Sequence, residues 1–91
     1  MEFLVRIDVS LPADMPDDAR TALLAAEKRR GEELTADGTI QGIWRIPGRQ
    51  ANVGIWVAAD ATALHEALTS LPVWAYTQIE VTALATHPLR A

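Results

Sequence analysis

The sequence predicts an α+β fold whose elements follow the order βαββαβ. Apolar and polar residues alternate along 3–9 and again along 76–84, which is typical of half-buried strands. Between these runs lie two stretches with helical periodicity, and between the helices lie two short strand-like runs joined by a turn. No repeat or linker divides the 91 residues, so we expect a single domain over 1–91.

The first strand, 3–9, ends before a break that contains two prolines, and a helix is predicted over about 15–36. Asp14 is the expected N-cap, because a short carboxylate side chain can accept from the free N–H groups of a first helical turn. Gly38 suits the position after the helix, where the left-handed conformation is common. The apolar stripe predicts the buried residues of this helix: Ala22, Leu23, Ala26 and Leu34.

The middle of the chain predicts a β-hairpin. Residues 39–46 and 51–57 read as strands, and the four residues between them, 47–50, include proline and glycine and form a turn. Alternation puts the β-branched residues of the second of these strands on one face: Val53, Ile55 and Val57.

A second helix is predicted over about 61–70, with Asp60 as its N-cap and Pro72 beyond its end. The last strand, 76–84, is followed by a short tail, 86–91. The second helix should direct three leucines inward: Leu64, Leu68 and Leu71.

This order of elements is that of ferredoxin-like folds. Right-handed crossovers place both helices on one face of a four-stranded antiparallel sheet. The other face would display Arg6, Asp8 and Trp56 among apolar neighbours, and a bare apolar face requires a cover. We therefore expect a homodimer packed sheet against sheet, in the form of a dimeric α+β barrel.

Composition excludes several classes of function. Eight basic against 12 acidic side chains give a net charge of −4, which argues against non-specific binding to nucleic acid. No apolar run approaches the roughly 20 residues that span a bilayer, so we expect no membrane association. Without cysteine, and with two histidines far apart, no metal site is expected. A cytoplasmic protein is the prediction.

Glu27 is the first candidate for chemistry. Its spacing from Leu23 and Leu34 places it on or beside the apolar stripe of the first helix. Burial would raise the pKa of its carboxyl group, and such a group can act as a general base near neutral pH. The alternative is a glutamate at the edge of the stripe that pairs with a lysine or arginine.

Further candidates lie in the hairpin and on the second helix. Arg45 and Arg49 suit a carboxylate ligand, because the planar guanidinium matches both oxygens; the alternative for each is a solvated surface arginine. Asn52 and Trp44 lie in the same hairpin, with Trp44 on the strand face opposite to Arg45. His65 borders the buried stripe of the second helix and either donates to a ligand or caps a neighbouring element.

A series of short motifs, each occurring once, extends in order over most of the chain. They are Leu11-Pro12-x-Asp14-Met15, Glu27-Lys28, Trp44-Arg45-Ile46-x-Gly48, Ala51-Asn52, Ala63-Leu64-His65, Leu71-Pro72, Tyr76-x-x-Ile79-Glu80-Val81 and His87-Pro88. In their joint order and spacing these motifs resemble the muconolactone Δ-isomerase family. The resemblance implies a ferredoxin-like enzyme that needs no cofactor and assembles as homodimers within larger rings, commonly decamers.

The resemblance also implies a reaction: muconolactone is converted to 3-oxoadipate enol-lactone in the breakdown of aromatic compounds such as catechol. Glu27 would carry the proton from one lactone carbon to another, through a dienolate that builds charge on the carbonyl oxygen. The acetate group of the substrate would bind Arg45 or Arg49. The candidate donors to the carbonyl oxygen are Lys28, Asn52 and His65. Two aromatic candidates complete the substrate-binding set: Trp44 and Tyr76.

The chain departs from the family pattern near the hairpin and before the last strand. Gln41-Gly42 replaces a basic residue and a histidine, Gln50 replaces a tyrosine, and 73–75 differ from the usual Leu-Phe-Pro. These departures leave two alternatives to the muconolactone reaction: a paralogue acting on another small lactone or on an aromatic or polyketide-like substrate, and a non-catalytic binding or assembly module.

A structural criterion separates the enzymes from the module. An inward Glu27 beside an open pocket would favour an enzyme. A pocket filled by tryptophans, with Glu27 facing solvent, would favour the module; the tryptophans concerned are Trp44, Trp56 and Trp74.

Overall fold

The structure is a computed structural model that describes residues 1–89, and its elements follow the predicted order. The strands are β1 Glu2–Val9, β2 Ile40–Arg45, β3 Ala51–Val57 and β4 Thr77–Leu84. The helices are α1 Asp17–Ala36 and α2 Ala61–Thr69, and a 3₁₀ turn, Trp74–Tyr76, precedes β4.

The predicted tail, 86–91, is described only as far as Leu89, and its last two residues lie outside the described part of the chain. Within residues 1–89, no helix is both long and apolar enough to cross a membrane.

β1 lies inside the sheet, between β3 and β4. The strand order is β2-β3-β1-β4, and each neighbouring pair is antiparallel. Each of the two helices connects strands that follow each other in sequence but have a third strand between them in the sheet, as a split βαβ arrangement requires. The predicted ferredoxin-like fold class is confirmed.

The core lies on one face of β1. Phe3, Val5 and Ile7 alternate along this strand and are buried against both helices. The residues that complete the buried cluster are Leu34, Ile40, Trp56, Leu64, Leu68 and Leu71. Because both helices contribute leucines to this one cluster, they cover the same sheet face, and the other face, which we call the open face, lies away from them. Burying each leucine contributes about 1.5–3 kcal/mol.

The prediction that Trp56 lies on the open face is wrong. Trp56 is directly opposite Phe3 in the β1–β3 pair and is only 1% exposed. Residues opposite each other in an antiparallel pair share a face, so Trp56 belongs to the core. The alternate residues of β3, Val53 and Ile55, therefore lie on the open face beside Arg6 and Leu4.

The predicted caps had different outcomes. Asp60 caps α2 as expected, with its Oδ1 accepting from the Ala63 N–H at 2.8 Å. Asp14 does not cap α1, because Pro16 occupies the N-cap position and makes no side-chain hydrogen bond. Asp14 instead lies in a turn in which the Met15 N–H donates to the Pro12 carbonyl at 3.1 Å.

The predicted stripe of α1 also requires one correction. Ala22 is exposed, whereas Leu34 is buried and Leu23 and Ala26 are partly buried. The inward line of the helix runs through Leu23, Glu27 and Leu34, and Ala22 lies about 100° around the helix from Leu23.

Gly54 marks a close approach between β3 and β2. A Cβ atom at this position would lie 2.6 Å from the backbone carbonyl oxygen of Gly42. The approach adjoins the irregularity in β2, where the pairing register shifts between Ile40 and Gly42. Any side chain at position 54 would therefore push the edge strand away.

We predict that Gly54→Ala lowers the free energy of unfolding by about 1–3 kcal/mol, since the β2 backbone must move to admit the methyl group. Gly31→Ala is the matched control: nothing lies within 4 Å of its added Cβ, and alanine in a helix should raise stability by about 0.5–1 kcal/mol. Denaturant titration measures both changes. A Gly54→Ala variant as stable as the native chain would contradict the prediction.

Candidate active site

A cavity of about 400 Å³ lies between α1 and the helix-facing side of the sheet. This volume suits a small-molecule ligand. Its polar lining residues are Arg20, Glu27, Arg45, Gln50 and Asn52. Its apolar lining residues are Ile7, Val9, Leu11, Leu24 and Val73, together with Ala51.

One helix and two strands supply four of the five polar side chains that line the cavity. On α1, Arg20, Leu24 and Glu27 follow each other at spacings of four and three residues, so they share one helix face. On the sheet, Arg45 is opposite Asn52, and Asn52 is opposite Ile7, which faces the helices. The cavity therefore has a helix wall and a sheet wall, with polar groups on both.

Glu27 is half-buried at this cavity. The backbone N–H of Val73 donates to its Oε1 at 3.2 Å, and among the described residues Oε2 has no hydrogen-bond partner. Burial raises the pKa of the carboxyl group, and the hydrogen bond from Val73 offsets part of that rise by favouring the charged form. One oxygen is thus held in place while the other is available to a ligand.

The segment that holds Glu27 is itself attached to α1. Arg30, three residues after Glu27, donates from Nε to the Ser70 hydroxyl at 2.9 Å. Ser70 ends α2 and precedes the Val73 amide by three residues. Two hydrogen bonds therefore connect α1 to residues 70–73: one joins Arg30 to Ser70, and the other joins Glu27, about one helical turn earlier, to Val73. Together they restrain the carboxyl group of Glu27.

Asn52 presents an unpaired polar atom. Its Oδ1 is buried and has no hydrogen-bond partner among residues 1–89. Leaving a buried acceptor unpaired costs about 1–3 kcal/mol. Rotation of the amide exchanges this acceptor for two N–H donors, so the side chain can meet either an acceptor or a donor on a ligand. Asn52 is therefore suited to polar contact with a molecule bound in the cavity.

Within residues 1–89, neither arginine of the cavity forms an ion pair with an acidic side chain. Arg20 donates from Nη2 to the Pro12 carbonyl at 3.3 Å, and Arg45 is exposed while lining the cavity. Among the described residues, the arginine–carboxylate ion pairs are Arg6 with Asp8 and Arg30 with Glu33. The guanidinium groups of Arg20 and Arg45 can therefore bind an anion.

Three predicted site residues meet in this cavity, namely Glu27, Arg45 and Asn52. The other predicted side chains lie elsewhere. Lys28 lines a separate apolar groove with Ile40 and Ile43, between α1 and the edge strand β2. His65 is exposed on α2.

The remaining three lie on or near the open face. Trp44 is opposite Val53, one residue along from the Arg45–Asn52 pair, so it faces away from the cavity. Arg49 is exposed. The pKa of Asp8 is lowered mainly by the hydrogen bond from Arg6, and the positive charge of Arg49 lowers it further. Tyr76 lines a groove together with Asp8.

Sequence reasoning missed Arg20 as a functional candidate. The spacing could have identified it, because Arg20 precedes Glu27 by seven residues and therefore lies about two turns away on the same helix face. Gln50 and Val73 stand out in the sequence only as departures from a family pattern, and both line the cavity.

The structural criterion for an enzyme is met. Trp56 is in the core, while Trp44 and Trp74 are 58% and 44% exposed, and none of the three lines the cavity. Glu27 does line the cavity and is half-buried. Among residues 1–89, no group of three or more histidine and acidic side chains could hold a metal ion.

Fold and site together define a class: a ferredoxin-like protein with a half-buried carboxyl group in a cavity of small-molecule size. The family model described as "Muconolactone delta-isomerase" matches residues 1–90. The muconolactone Delta-isomerase of Acinetobacter baylyi is 41% identical over 88 residues, which cover 97% of this chain and 92% of that protein. The chain therefore belongs to the muconolactone delta-isomerase family.

Two further comparisons agree. The muconolactone Delta-isomerase of Cupriavidus pinatubonensis is 40% identical, with 97% of this chain and 96% of that protein covered. A crystal structure of muconolactone isomerase matches with a TM-score of 0.93 and 39% identity, over 99% of this chain and 94% of that one. The similarity thus extends over nearly the whole chain in both sequence and fold.

We predict that Glu27→Gln changes how stability depends on pH. A carboxyl group whose pKa is raised on folding binds more protons in the folded state, so the native chain loses stability as pH rises through the interval above its ordinary pKa of 4.5. Glutamine stays neutral and can still accept from the Val73 N–H.

Denaturant titration from pH 4 to pH 7 measures this effect. The difference in unfolding free energy between the variant and the native chain should move in favour of the variant as pH rises. A difference that does not change with pH, or that moves in favour of the native chain, would show that burial does not raise the pKa of Glu27.

Proposed function

We propose that this protein is an isomerase that shifts a C=C bond in an unsaturated lactone, with muconolactone as the substrate and 3-oxoadipate enol-lactone as the product. The observation that carries the proposal is Glu27: a half-buried carboxyl group with a raised pKa and one free oxygen, in a cavity large enough for a small lactone. Membership of the family supports the same reaction.

In the proposed mechanism, the Glu27 carboxylate removes a proton from the saturated ring carbon of the lactone. The electron pair of the broken C–H bond spreads through the conjugated system to the carbonyl oxygen and gives a dienolate. Glu27, now protonated, returns the proton to the carbon next to the carbonyl, two bonds away, and the double bond moves. No proton is gained or lost overall. A pKa raised toward neutrality suits a group that must both accept and donate the proton.

The sheet wall supplies the proposed hydrogen-bond donors to the substrate. Asn52 and Arg45 are neighbours across the β2–β3 pair and both line the cavity. Their N–H groups are suited to the oxygens of the substrate, including the carbonyl oxygen on which charge builds in the dienolate. The expected roles of Lys28, His65 and Arg49 gain no support from their positions outside this cavity.

A lactone of different shape is the second candidate substrate. Of the positions at which the chain departs from the family pattern, Gln50 and Val73 line the cavity. The cavity lining is therefore altered relative to that pattern at two positions, one in the turn before β3 and one in the segment after α2, which favours a paralogue with a changed substrate preference. The position of Glu27 gives the same proton transfer in either case.

We predict that Glu27→Gln lowers kcat for isomerisation of muconolactone by about 10²–10⁴-fold, because the amide cannot take the proton. Glu66→Gln removes the same charge from an exposed position on α2 and serves as the control. Product formation is followed by NMR. Near-native turnover by the Glu27 variant would exclude this residue as the base, and an inactive native enzyme would exclude muconolactone as substrate.

We further propose that the protein forms a homodimer through the open face, with any decameric ring built from such dimers. Apolar side chains on this face include Leu4, Val53 and Ile55, and Leu4 and Trp44 remain 38% and 58% exposed. An apolar sheet face of this kind is stable when a second layer covers it. A cytoplasmic location stays a prediction.

We predict that Leu4→Lys dissociates the assembly, because a lysine on the central strand of each copy would place like charges in the interface. Thr62→Lys adds the same charge to the exposed surface of α2 and should leave the assembly intact. Sedimentation equilibrium gives the mass of each variant. A monomeric native protein, or a Leu4→Lys variant of native mass, would contradict the proposed interface.

A further inference from the structure

Arg20 lines the cavity from the helix wall but has no role in the reaction as proposed above. It lies two turns before Glu27 on the same face of α1, with Leu24 between them. It is partly buried, whereas Lys28 and Arg29 on the same helix are exposed. The position therefore differs from that of a solvated surface cation.

The guanidinium group of Arg20 is held but not neutralised. Its Nη2 donates to the Pro12 carbonyl at 3.3 Å, a bond to the turn that joins β1 to α1. Asp17 and Asp18 begin the same helix, yet neither forms an ion pair with it. Because a guanidinium carries five N–H donors, one such bond leaves the others for a ligand.

Arg20 differs from Arg30, another arginine of the same helix, in its hydrogen-bond partners. Arg30 is also partly buried on α1, but it donates to Ser70 at 2.9 Å and pairs with Glu33 at 3.3 Å. Its donors have structural partners within the protein. Among the described residues, the guanidinium group of Arg20 has the Pro12 carbonyl as its hydrogen-bond partner and forms no ion pair, and its side chain lines the cavity.

The charges around the cavity favour an anion. Its lining includes one carboxyl group, that of Glu27, and two guanidinium groups, those of Arg20 and Arg45. This excess of positive charge occurs in a chain whose net charge is −4. The two arginines approach from different walls, so a carboxylate bound between helix and sheet can receive N–H donors from the helix side as well as from the sheet side.

We propose that Arg20 is a specificity-determining residue that binds the carboxylate of the substrate from the helix wall. The inference rests on the proposed function, since it takes a carboxylate-bearing lactone as the ligand. It assigns to Arg20 the selection of an anionic substrate over a neutral one of the same shape. Proton transfer itself remains with Glu27.

The test measures binding without turnover. The probe is the saturated lactone that carries the same acetate group, which cannot isomerise because it lacks the C=C bond, and the comparison ligand is its neutral methyl ester. Calorimetry on the full-length protein gives the ratio of the two dissociation constants. Arg20→Gln should reduce the preference for the acid over the ester by about tenfold, which corresponds to ~1.4 kcal/mol.

Two variants exclude simpler explanations. Arg29→Gln removes the same charge from an exposed position on α1 and should keep the native preference. Arg20→Lys keeps the charge but loses the planar fork, and should keep part of the preference. A native preference in Arg20→Gln, an equal loss in Arg29→Gln, or no binding of either ligand by the native protein would each overturn the assignment.

The outcome is independent of the isomerase assay. A native protein that prefers the acid through Arg20 but does not convert muconolactone would retain this inference and exclude that reaction. If the native protein converts muconolactone but the Arg20→Gln variant keeps the full preference for the acid, the reaction is retained and the role of Arg20 is excluded. Thermal unfolding of each variant verifies the fold, and a variant that is folded at the assay temperature enters the comparison.

Discussion

The pairing register of β3 against β1 determines the position of both the core and the cavity. Trp56 lies opposite Phe3 and enters the core, while Asn52 lies opposite Ile7 and enters the cavity. Arg45 follows, because it is opposite Asn52 in the next pair. A slip of one residue would move every side chain of β3 to the other face. The indole of Trp56 would then leave the core, and the amide of Asn52 would leave the cavity that Glu27 lines. One set of backbone hydrogen bonds thus supports both the hydrophobic cluster and the sheet wall of the site.

The sequence predicts the fold well but not the buried face of the third strand. Alternation states which residues of β3 share a face, and both of its faces are apolar: Val53 and Ile55 on one, Trp56 on the other. Only the register with β1, a contact between residues some 50 positions apart, decides between them. The strands and helices depend on local patterns and were predictable, whereas this choice depends on tertiary structure.

The same distinction applies to the site. Glu27 was predictable because a helix repeats every 3.6 residues, so its place relative to Leu34 follows from counting. Lys28, the next residue, points about 100° away and faces a different groove. The position of His65 depends on how α2 packs, and that of Tyr76 on the 3₁₀ turn before β4, neither of which a local pattern describes. Sequence spacing therefore located the carboxyl group that lines the cavity, but not which of its proposed partners lie beside it.

The two faces of the sheet have different roles in the proposed function and assembly. The cavity lies on the helix-facing side, where Arg45 and Asn52 project toward Glu27. The apolar surface that calls for a cover, which includes Leu4 and Ile55, lies on the open face. A second copy can therefore cover the open face without filling the cavity between α1 and the sheet. A sheet that the helices of residues 1–89 cover on one face can in this way gain a stabilising interface on the other, while its polar site stays accessible to a small molecule.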